Sequence, residues 1–472
     1  MIRKGFEGCC RTRAQQLVMT AVFMAALGSA ALASIASAAQ NSTIFVNNVD
    51  DLYAAVNDQA NEGATVVLAP GRYCLSVKAE ETPGGDPCLS ASPTAVACVW
   101  ESGASGASRP HGGRLDLQKD MSLSGMAGNP ATVIIDGSLL PASSFTVDFG
   151  TPGRPAPGRT AIIRTGLGSN AIEWLTIAGS QPAAAAIETD LVEVDGGAPV
   201  TSTIRVAHVM AGGSVVAAGS ERPLDISCAS TRGVDVRNIG IPMAGRRIDA
   251  EIVDSEVFGS TEGIRVANFS GADYGDIAVT MRGNRSHTNR LGCIVENNRT
   301  NHASISIRSS GDRFEDNGLG CQIGGGLAVM PGVANFNSTT FDARESALIN
   351  NTLRVFTNLN PTGPMFTDLG GLVAVGGDLV PIDTTSGVFG NTVLVRLWAS
   401  RIAGNQIGEE DVDFKAYGVR WPTSIESTNI RVLNNHALIE LHGVSKFIEV
   451  TAFDSKFQDL TGTNRVTVVG EQ

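Results

Sequence analysis

Apolar and polar side chains alternate along several short segments in the second half of the chain. Examples are "DIAVTM" at 276–281, "ASISIR" at 303–308, "NTVLVRL" at 391–397 and "FIEVTAF" at 447–453. A period of two is typical of a half-buried β-strand, because successive strand side chains point to opposite faces. The same region has almost no apolar stripe at helical spacing, so the pattern predicts short strands and excludes a helical solenoid.

These strands lie within a repeat. The segment "NRSHTNRLGCIVEN" at 284–297 is restated 28 residues later as "DRFEDNGLGCQIGG" at 312–325. Further copies place six residues at the central apolar site, namely Val257, Ser286, Phe314, Phe341, Ile402 and Phe457, with steps of 29, 28, 27, 61 and 55 residues. The two longest steps are about twice the basic one, so we expect one hidden repeat in each, near "GGLVAVGG" at 370–377 and "TNIRVLNNHAL" at 428–438. A period of this size is typical of a solenoid.

Short strands that turn at Gly and Asn and repeat at a fixed period predict an all-β fold, a single right-handed parallel β-helix. Equivalent residues of successive turns then stack about 4.8 Å apart. On this geometry Asn289, Asn317 and Asn405 are predicted to form an asparagine ladder in a tight turn, where Asn tolerates left-handed backbone angles. Cys293 and Cys321 face each other, either as a disulfide or as two stacked core thiols.

The part of the chain that follows residue 42 predicts a cap for one end of the coil. Residues 43–75 read as a strand, a short helix with Asp50 as N-cap, and a second strand that ends at Pro70-Gly71. The helix places Leu52, Ala55 and Val56 on one face, which suits a helix that covers the open apolar end of a solenoid.

The helix "DLYAAVND" followed by "GATVVLAPGRY" resembles the start of the pectin-lyase-like family, with support from "SLSGMAGNPATVIIDG" at 122–137 and "IEWLTIAG" at 172–179. The resemblance implies a secreted right-handed parallel β-helix over most of residues 43–469, and lyase or hydrolase action on uronic-acid polymers. The family's active-site motifs are missing, since there is no "NTD" or "RIK" and neither His-Gly pair follows a Gly. Whether the protein is an enzyme therefore stays open.

Residues 1–39 have the pattern of a secretory signal peptide. Four basic residues precede an apolar run at 17–32, and "SIASAAQ" at 34–40 offers cleavage after Ala38 or Ala39. The run is shorter than a membrane span, and no later segment approaches that length. We therefore expect a secreted or periplasmic protein without an integral membrane segment, in which 40–472 form one β-helix domain with a capping segment at 43–75 and a Cys-containing insertion at 76–112.

Charge and cysteine content narrow the classes of partner. The full chain has 35 Lys and Arg against 47 Asp and Glu, and removal of residues 1–39, which hold four basic residues and one acidic residue, leaves a net charge of −15. Such a balance argues against a nucleic-acid partner. Six of the eight cysteines lie beyond the signal, an even number that permits disulfides in an exported protein, and Cys74, Cys88 and Cys98 are close enough to staple the insertion.

One outward column of the predicted coil carries the candidate chemistry. The residue before each apolar site reads Glu256, Arg285, Arg313, Thr340, Arg401 and Lys456, and beside it His287 lies over Glu315, with Phe258 below. We expect Arg285, His287, Arg313, Arg401 and Lys456 to bind an anionic polysaccharide. Arginines stabilise a developing enolate and His287 acts as base if the protein is a β-elimination lyase. The alternative is an ordinary solvated face on which Arg and Lys alternate with Glu.

A cofactor is not expected. The six His show no metal-ligand spacing. In "GEEDVDF" at 408–414, Asp411 and Asp413 with Glu409 or Glu410 are the single candidate group for Ca²⁺, the alternative being a charged loop that protects a sheet edge. Two functional classes stay open for what we expect to be a monomer: a protein that binds or cleaves an anionic glycan, and a non-catalytic structural or adhesive β-helix.

Overall fold

Parallel β-strands dominate the computed structural model. It describes 42–79, 106–126, 128–145, 161–165, 167–179, 184–189, 200–212, 230–239, 246–269, 272–329, 333–352, 370–380, 387–407, 410–411, 414–420, 431–442, 444, 450–453 and 464–470. The described residues from Thr43 onward belong to one compact unit, Thr43–Gln472.

The first half of the described chain contains α1 (Val49–Asn57) and the following strands: β1 (Thr43–Val46), β2 (Thr65–Leu68), β3 (Gly71–Cys74), β4 (Leu115–Asp116), β5 (Ser122–Gly125), β6 (Val133–Asp136), β7 (Ala161–Arg164), β8 (Ser169–Glu173), β9 (Thr176–Ala178), β10 (Ala185–Thr189), β11 (Val200–Ala207), β12 (Met210–Gly212), β13 (Ser230–Ile239), β14 (Arg246–Val253), β15 (Glu256–Phe258), β16 (Ser260–Phe269), β17 (Asp276–Arg282), β18 (Arg285–His287) and β19 (Leu291–Asn298).

The second half continues with β20 (Ser304–Ser310), β21 (Arg313–Glu315), β22 (Leu319–Gly324), β23 (Leu327–Val329), β24 (Val333–Asn335), β25 (Ser338–Arg344), β26 (Ala347–Ile349), β27 (Gly370–Val380), β28 (Gly387–Phe389), β29 (Thr392–Trp398), β30 (Arg401–Ala403), β31 (Gln406–Ile407), β32 (Glu410–Asp411), β33 (Phe414–Arg420), β34 (Arg431–Leu433), β35 (His436–His442), β36 (Val450–Phe453) and β37 (Arg465–Gly470).

Three long sheets form the walls of a parallel β-helix. Sheet 1 has the order β1-β2-β5-β8-β11-β14-β17-β20-β25-β29-β35-β37, sheet 2 has the order β3-β6-β9-β12-β15-β18-β21-β26-β30, and sheet 3 runs from β4 through β7, β10, β13, β16, β19, β22, β27 and β33 to β36. Each rung contributes one strand to each sheet in turn, and the strands within these sheets pair in parallel. Parallel strands joined by such crossovers follow a right-handed path in nearly all proteins. The predicted fold class is confirmed.

The interior of the coil is apolar because one face of every strand points inward. Val257, Ile264, Phe314, Phe341 and Ile402 all belong to one continuous buried core cluster. The helix α1 buries Leu52, Ala55 and Val56 and packs against β1, β2 and β4 at one end of the coil. Its N-cap is Asn48 and not Asp50, because Asn48 has an extended backbone and its side-chain oxygen accepts the Asp51 N–H at 2.8 Å.

The rung length varies more than the sequence repeat predicted. Val257, Ser286 and Phe314 are register partners on consecutive rungs. The next partner is Leu348 and not Phe341, which lies in β25 of sheet 1. Leu348 pairs directly with Ile402, so the first long step contains no hidden rung, and "GGLVAVGG" is the part of β27 that belongs to this same rung. The second long step does contain a further strand of sheet 1, β35, whereas Phe457 lies outside the described residues.

The turn between sheets 2 and 3 holds an asparagine ladder. Asn317 Oδ1 accepts the backbone N–H of Asn289 at 2.9 Å, Asn317 Nδ2 donates to Asn351 Oδ1 at 3.1 Å, and Asn351 Nδ2 donates to Asn405 Oδ1 at 2.8 Å. The ladder thus contains Asn351, which the sequence repeat missed. The left-handed backbone belongs to the residue before each Asn, with φ of 54° at Thr288 and at Asp316.

A second ladder occupies the turn that leads into sheet 1. Asn337, Asn391, Asn435 and Asn464 bond in the same manner, with Nδ2 to Oδ1 distances of 3.0, 3.0 and 2.9 Å. Each of these side chains is nearly or fully buried. Buried amides that bond to one another and to the backbone specify which rung stacks on which.

The cysteines fall into two groups. Cys293 and Cys321 are register partners and fully buried, and both are free thiols, so the structure has the stacked thiols and not the disulfide. The spacing of parallel strands holds their Cβ atoms farther apart than a disulfide prefers. Cys74 is disulfide-bonded, and its partner is not among the described residues. Cys88 and Cys98 also lie outside the described residues.

Candidate functional site

The column predicted from the repeat lies on the outer face of sheet 2. Its members in register are Glu256, Arg285, Arg313, Ala347 and Arg401. Ala347 takes the place assigned to Thr340, which lies in β25 of sheet 1. Lys456 lies outside the described residues. Arg401 is exposed, but Ala347 separates it from the other two arginines, so the structure brings only Arg285 and Arg313 together.

These two arginines are neutralised by carboxylates. Arg285 Nε donates to Glu315 Oε1 at 2.7 Å and a second nitrogen of Arg285 lies 3.1 Å from Glu256 Oε1. Arg313 donates to Glu315 Oε2 at 2.6 Å. Burial alone would raise the pKa of Glu315, but the hydrogen bonds from Arg313 and Arg285 outweigh it and hold that pKa below its ordinary value. Arg285 and Arg313 therefore form a charge-balanced network with Glu256 and Glu315.

His287 is held on both ring nitrogens. Nε2 lies 2.7 Å from Glu256 Oε1 and Nδ1 lies 3.0 Å from Thr288 Oγ1, while the ring stacks on Phe258. The hydrogen bond from His287 lowers the pKa of Glu256. A general base needs a free nitrogen within reach of the proton that it removes. The observed bonds make His287 a poor candidate for that role and a good structural partner of Glu256.

Only two of the candidate calcium ligands lie in the described residues. Glu410 and Asp411 form β32, which pairs antiparallel with β31, while Glu409 and Asp413 lie outside the described residues. Within the described ranges, no three His, Cys, Asp or Glu side chains are grouped so that they could hold a metal ion. No helix in the part of the chain that the structure describes is both long and apolar enough to cross a membrane.

A different set of arginines lies open on the neighbouring sheet. Arg282, Arg308 and Arg344 project from β17, β20 and β25, three consecutive strands of sheet 1, and we call this surface the arginine face. Ser310 is the register partner of both Arg282 and Arg344, and Arg308 lies on the same strand two residues before Ser310. The backbone positions of the three arginines thus lie around Ser310 over two rung steps, roughly 10 Å.

Small side chains lie between the arginines on the arginine face. Thr280 and Asp342 flank Arg308 in register, and Ser306 lies between Ala278 and Thr340. Thr280 and Ser306 are exposed. Strand alternation directs these residues outward while Val279, Ile307 and Phe341 point into the core. The side chains between the arginines are therefore short hydroxyl and carboxyl groups, and Arg344 also lies over the Trp398 ring, 5.5 Å from its centroid.

The arginine face is weakly neutralised. The side chains of Arg282 and Arg344 are 61% and 64% exposed, and their ion pairs are loose, 3.7 Å to Glu251 and 3.5 Å to Asp342. Among the described residues none forms an ion pair with the exposed Arg308. By contrast, Arg396 on the same sheet donates to Glu440 at 2.7 Å. Arg282, Arg308 and Arg344 are therefore weakly neutralised and lie on three consecutive strands, whereas other exposed arginines of the described residues, such as Arg299, Arg401 and Arg465, lie outside these three strands.

The sequence contains the signal for this face, but the repeat register hid it. The alternation of 276–282, 304–310 and 338–344 places an outward residue at the end of each strand, and these ends read Arg, Ser and Arg. Because Phe341 was aligned with the residues of sheet 2, the strand at 338–344 was assigned to the wrong sheet. Correct alignment of 338–344 with 304–310 would have shown two arginines on one outward column.

Comparisons with known proteins give fold-level similarities only. The chain is similar to DFA-IIIase from Arthrobacter chlorophenolicus A6 at 12% identity, with 89% of each chain covered and a TM-score of 0.32. It is also similar to Escherichia coli ybhc at 10% identity, covering 80% of this chain and 76% of that chain, with a TM-score of 0.26. For the PL6 family alginate lyase AlyGC the identity is 8%, the coverage 90% and 75%, and the TM-score 0.19.

No protein-family model matches the chain, and no curated protein matches it. Similarities to solved structures at this level carry no argument about function. The function must therefore be argued from the side chains of the coil itself.

Proposed function

We propose that the protein binds an anionic polysaccharide across the arginine face of sheet 1. The observation that carries this proposal is the presence of three outward arginines on consecutive strands of a strongly acidic chain, two with loose ion pairs and Arg308 with none among the described residues. Similar charges one or two rungs apart repel one another unless an anion lies between them. Guanidinium groups suit this role because they donate two parallel hydrogen bonds to a carboxylate.

The regular coil supports a polymeric ligand. Sheet 1 presents outward side chains at equal spacing along its strands, so a chain molecule with repeated acidic groups can meet Arg282, Arg308 and Arg344 in succession. The Ser and Thr side chains between the arginines offer hydroxyl groups that both donate and accept hydrogen bonds with sugar hydroxyls. Carboxylates on the polymer would complete the charge balance that Glu251 and Asp342 leave partial.

The geometry supports binding better than cleavage. His287, the candidate base, has both nitrogens engaged, Arg285 is paired with Glu315 and Glu256, and Arg313 is paired with Glu315. The side chains that could stabilise a developing enolate are thus already occupied. We therefore propose a binding protein and leave lyase or hydrolase action outside the proposal.

An exported location fits this role. Residues 1–39 have the pattern of a secretory signal, and the disulfide at Cys74 is the kind of bond that persists in oxidising compartments. Free polysaccharide is met outside the cytoplasm, so we propose a secreted or periplasmic protein.

The test is retention on immobilised polygalacturonate and alginate, with dextran as an uncharged matrix. The parent should be retained on one or both acidic matrices and not on dextran. A triple variant, Arg282→Ser, Arg308→Ser and Arg344→Ser, should lose retention while its circular dichroism spectrum stays unchanged, because all three side chains are exposed. Arg396→Ser is the matched control on the same sheet, and it should bind as the parent does.

A non-catalytic structural or adhesive coil is the second candidate. The observation that favours it is the pair of asparagine ladders, which stabilise a long regular rod without reference to any ligand. Failure of the parent to bind either acidic polymer would favour this reading and overturn the proposal of glycan binding.

A further inference from the structure

The arginine face ends beside two stacked aromatic residues. Arg344 on β25 is the register partner of Trp398 on β29, and Trp398 is the register partner of His442 on β35. Arg282 and Ser310 precede them, so five consecutive strands of sheet 1 carry one outward column. Four rung steps separate Arg282 from His442, roughly 19 Å. Along the coil this column changes from cationic to aromatic side chains, and we call Trp398 and His442 the aromatic pair.

The aromatic pair is held from two sides. Its two rings stack with centroids 3.7 Å apart and planes inclined by 6°. The Arg344 guanidinium lies 5.5 Å from the centroid of the Trp398 ring, which is within reach of a cation–π contact. Because β25 and β35 lie on opposite sides of β29, these contacts come from opposite sides of the indole. They fix the orientation of the pair before any ligand binds.

The aromatic pair can be reached from solvent. The His442 side chain is 41% exposed, and Trp398 is half-buried. Within the described ranges, Nδ1 of His442 has no hydrogen-bond partner and is not buried. Its Nε2 lies 4.0 Å from Oε2 of Glu440, and that oxygen already accepts a hydrogen bond from Arg396 at 2.7 Å. His442 therefore offers one ring nitrogen to a ligand.

The opposite end of the column is less suited to a polyanion. Before Arg282 the register reads Val253, Ala207 and Glu173. A polyanion that extended past Arg282 in this direction would meet two apolar side chains and then a carboxylate. In the other direction it would meet the aromatic pair directly after Arg344. The column therefore gives an acidic polymer one favourable direction along the coil axis.

We infer that the aromatic pair is a sugar-ring subsite, and that an acidic polysaccharide lies along the coil axis over all five strands. This inference rests on the proposed function and specifies how the ligand is bound. Carboxylates of the polymer pair with Arg282 and Arg344, as guanidinium groups favour. The apolar C–H groups of the next sugar ring pack against Trp398 and His442, and Nδ1 of His442 forms a hydrogen bond with a sugar hydroxyl.

The subsite adds a selectivity that the arginines lack. Exposed guanidinium groups attract the carboxylates of any polyanion, whether or not its backbone contains sugar rings. The aromatic pair contributes only where the ligand has an apolar ring surface and hydroxyl groups next to its carboxylates. Trp398 and His442 are therefore specificity residues, which favour an acidic polysaccharide over a polyanion without rings.

Calorimetric titration of the full chain with two polyanions tests the inference. The probes are an oligogalacturonate and a poly-L-glutamate with the same number of carboxylates. The Trp398→Leu/His442→Ala variant keeps every arginine of the face, so it should bind the oligogalacturonate about fivefold or more weakly and the poly-L-glutamate within about twofold of the parent. Trp174→Leu/His208→Ala is the matched control, since it removes a similar stack, with centroids 3.9 Å apart, that lies next to Glu173. This control should bind both probes as the parent does.

The outcomes separate this inference from the proposed function. Unchanged oligogalacturonate binding by the double variant, or an equal loss for both probes, would overturn the subsite and leave binding by the arginines standing. A parent that does not bind the oligogalacturonate would overturn the proposed function, and the subsite with it. If the double variant does not fold, His442→Ala alone removes an exposed side chain and should weaken oligogalacturonate binding about threefold. Unchanged binding by that single variant would likewise overturn the subsite.

Discussion

Asn317 Nδ2 donates a hydrogen bond to Asn351 Oδ1 at 3.1 Å, although the two residues are 34 positions apart in the chain. The same amide nitrogen also donates to the backbone oxygen of Ser286 at 2.9 Å. One side chain thus connects three rungs. Asn317→Ala should leave several buried partners unsatisfied and lower the free energy of unfolding by about 1–3 kcal/mol.

Chemical denaturation of purified variants measures this effect. Asn129→Ala is the control, since Asn129 is an exposed cap of a short 3₁₀ helix, and the loss there should be no more than about 1 kcal/mol. An unchanged unfolding midpoint for Asn317→Ala would show that the ladder does not stabilise the coil. Binding to an acidic polysaccharide should survive in both variants.

Two phenylalanines, Phe314 and Phe336, should differ widely in their contribution to stability. Phe314 is 1% exposed within the core cluster, and Phe314→Ala should cost about 3–5 kcal/mol through the cavity that it leaves. Phe336 is 50% exposed and stacks on His302 at a corner of the coil. Phe336→Ala should cost only about 0.5–1.5 kcal/mol. Equal losses for the two variants in a thermal melt would contradict the assignment of inner and outer faces.

The carboxylates of the sheet 2 network predict that the free energy of unfolding falls at acidic pH. Hydrogen bonds from His287 lower the pKa of Glu256, and those from Arg313 and Arg285 lower the pKa of Glu315 against the effect of burial. A folded pKa below the unfolded value stabilises the fold above the unfolded pKa, about 4.3 for Glu, and this contribution is lost as the pH falls. The stability difference between the parent and Glu256→Gln/Glu315→Gln should therefore shrink between pH 6 and pH 3.

Asp316 is a control in the same network, because its pKa is shifted in the opposite direction. Burial and the nearby Glu315 raise the pKa of Asp316, so its charged form is disfavoured in the folded state. Asp316→Asn should therefore be at least as stable as the parent at pH 7, with the difference vanishing at low pH. Parallel pH profiles for all three proteins would refute the network assignment.

The stacked thiols should be unreactive in the native protein. Burial raises the pKa of Cys321 well above its ordinary value, with a smaller contribution from the hydrogen bond to Cys293. Alkylation followed by peptide mass spectrometry should find both thiols unmodified in the folded protein and modified after denaturation. A disulfide-linked peptide pair that contains Cys293 and Cys321 would contradict the free thiols.

The fold was predictable from the sequence because successive rungs repeat the same residue spacing and the same alternation of apolar and polar positions. The spacing of Cys293 and Cys321, and the alternation of their neighbours, give the correct register for two rungs. The register failed at Phe341, since the chain between Phe314 and its true partner Leu348 is lengthened by β23 and β24. A single period cannot identify a rung that carries an insertion, and that error also concealed Asn351.

The candidate site was less predictable because charge pairing depends on side-chain geometry. The sequence shows Arg285 and Arg313 in one column, but it does not show that both turn toward Glu315. It likewise does not reveal that Arg308 faces Asp342 in register while Asp342 turns to Arg344. Which arginines remain available is decided by these rotations, and they are visible only in the folded chain.

The most direct test of glycan binding by the arginine face is a titration of the protein with a defined oligogalacturonate at several NaCl concentrations. The parent should bind, and its affinity should fall as salt screens the exposed charges. The Arg282→Ser/Arg308→Ser/Arg344→Ser variant should bind on the order of 10- to 100-fold more weakly at low salt, because each exposed ion pair contributes up to about 1 kcal/mol. Equal affinity and equal salt dependence for parent and variant, or no binding by the parent, would contradict the proposal.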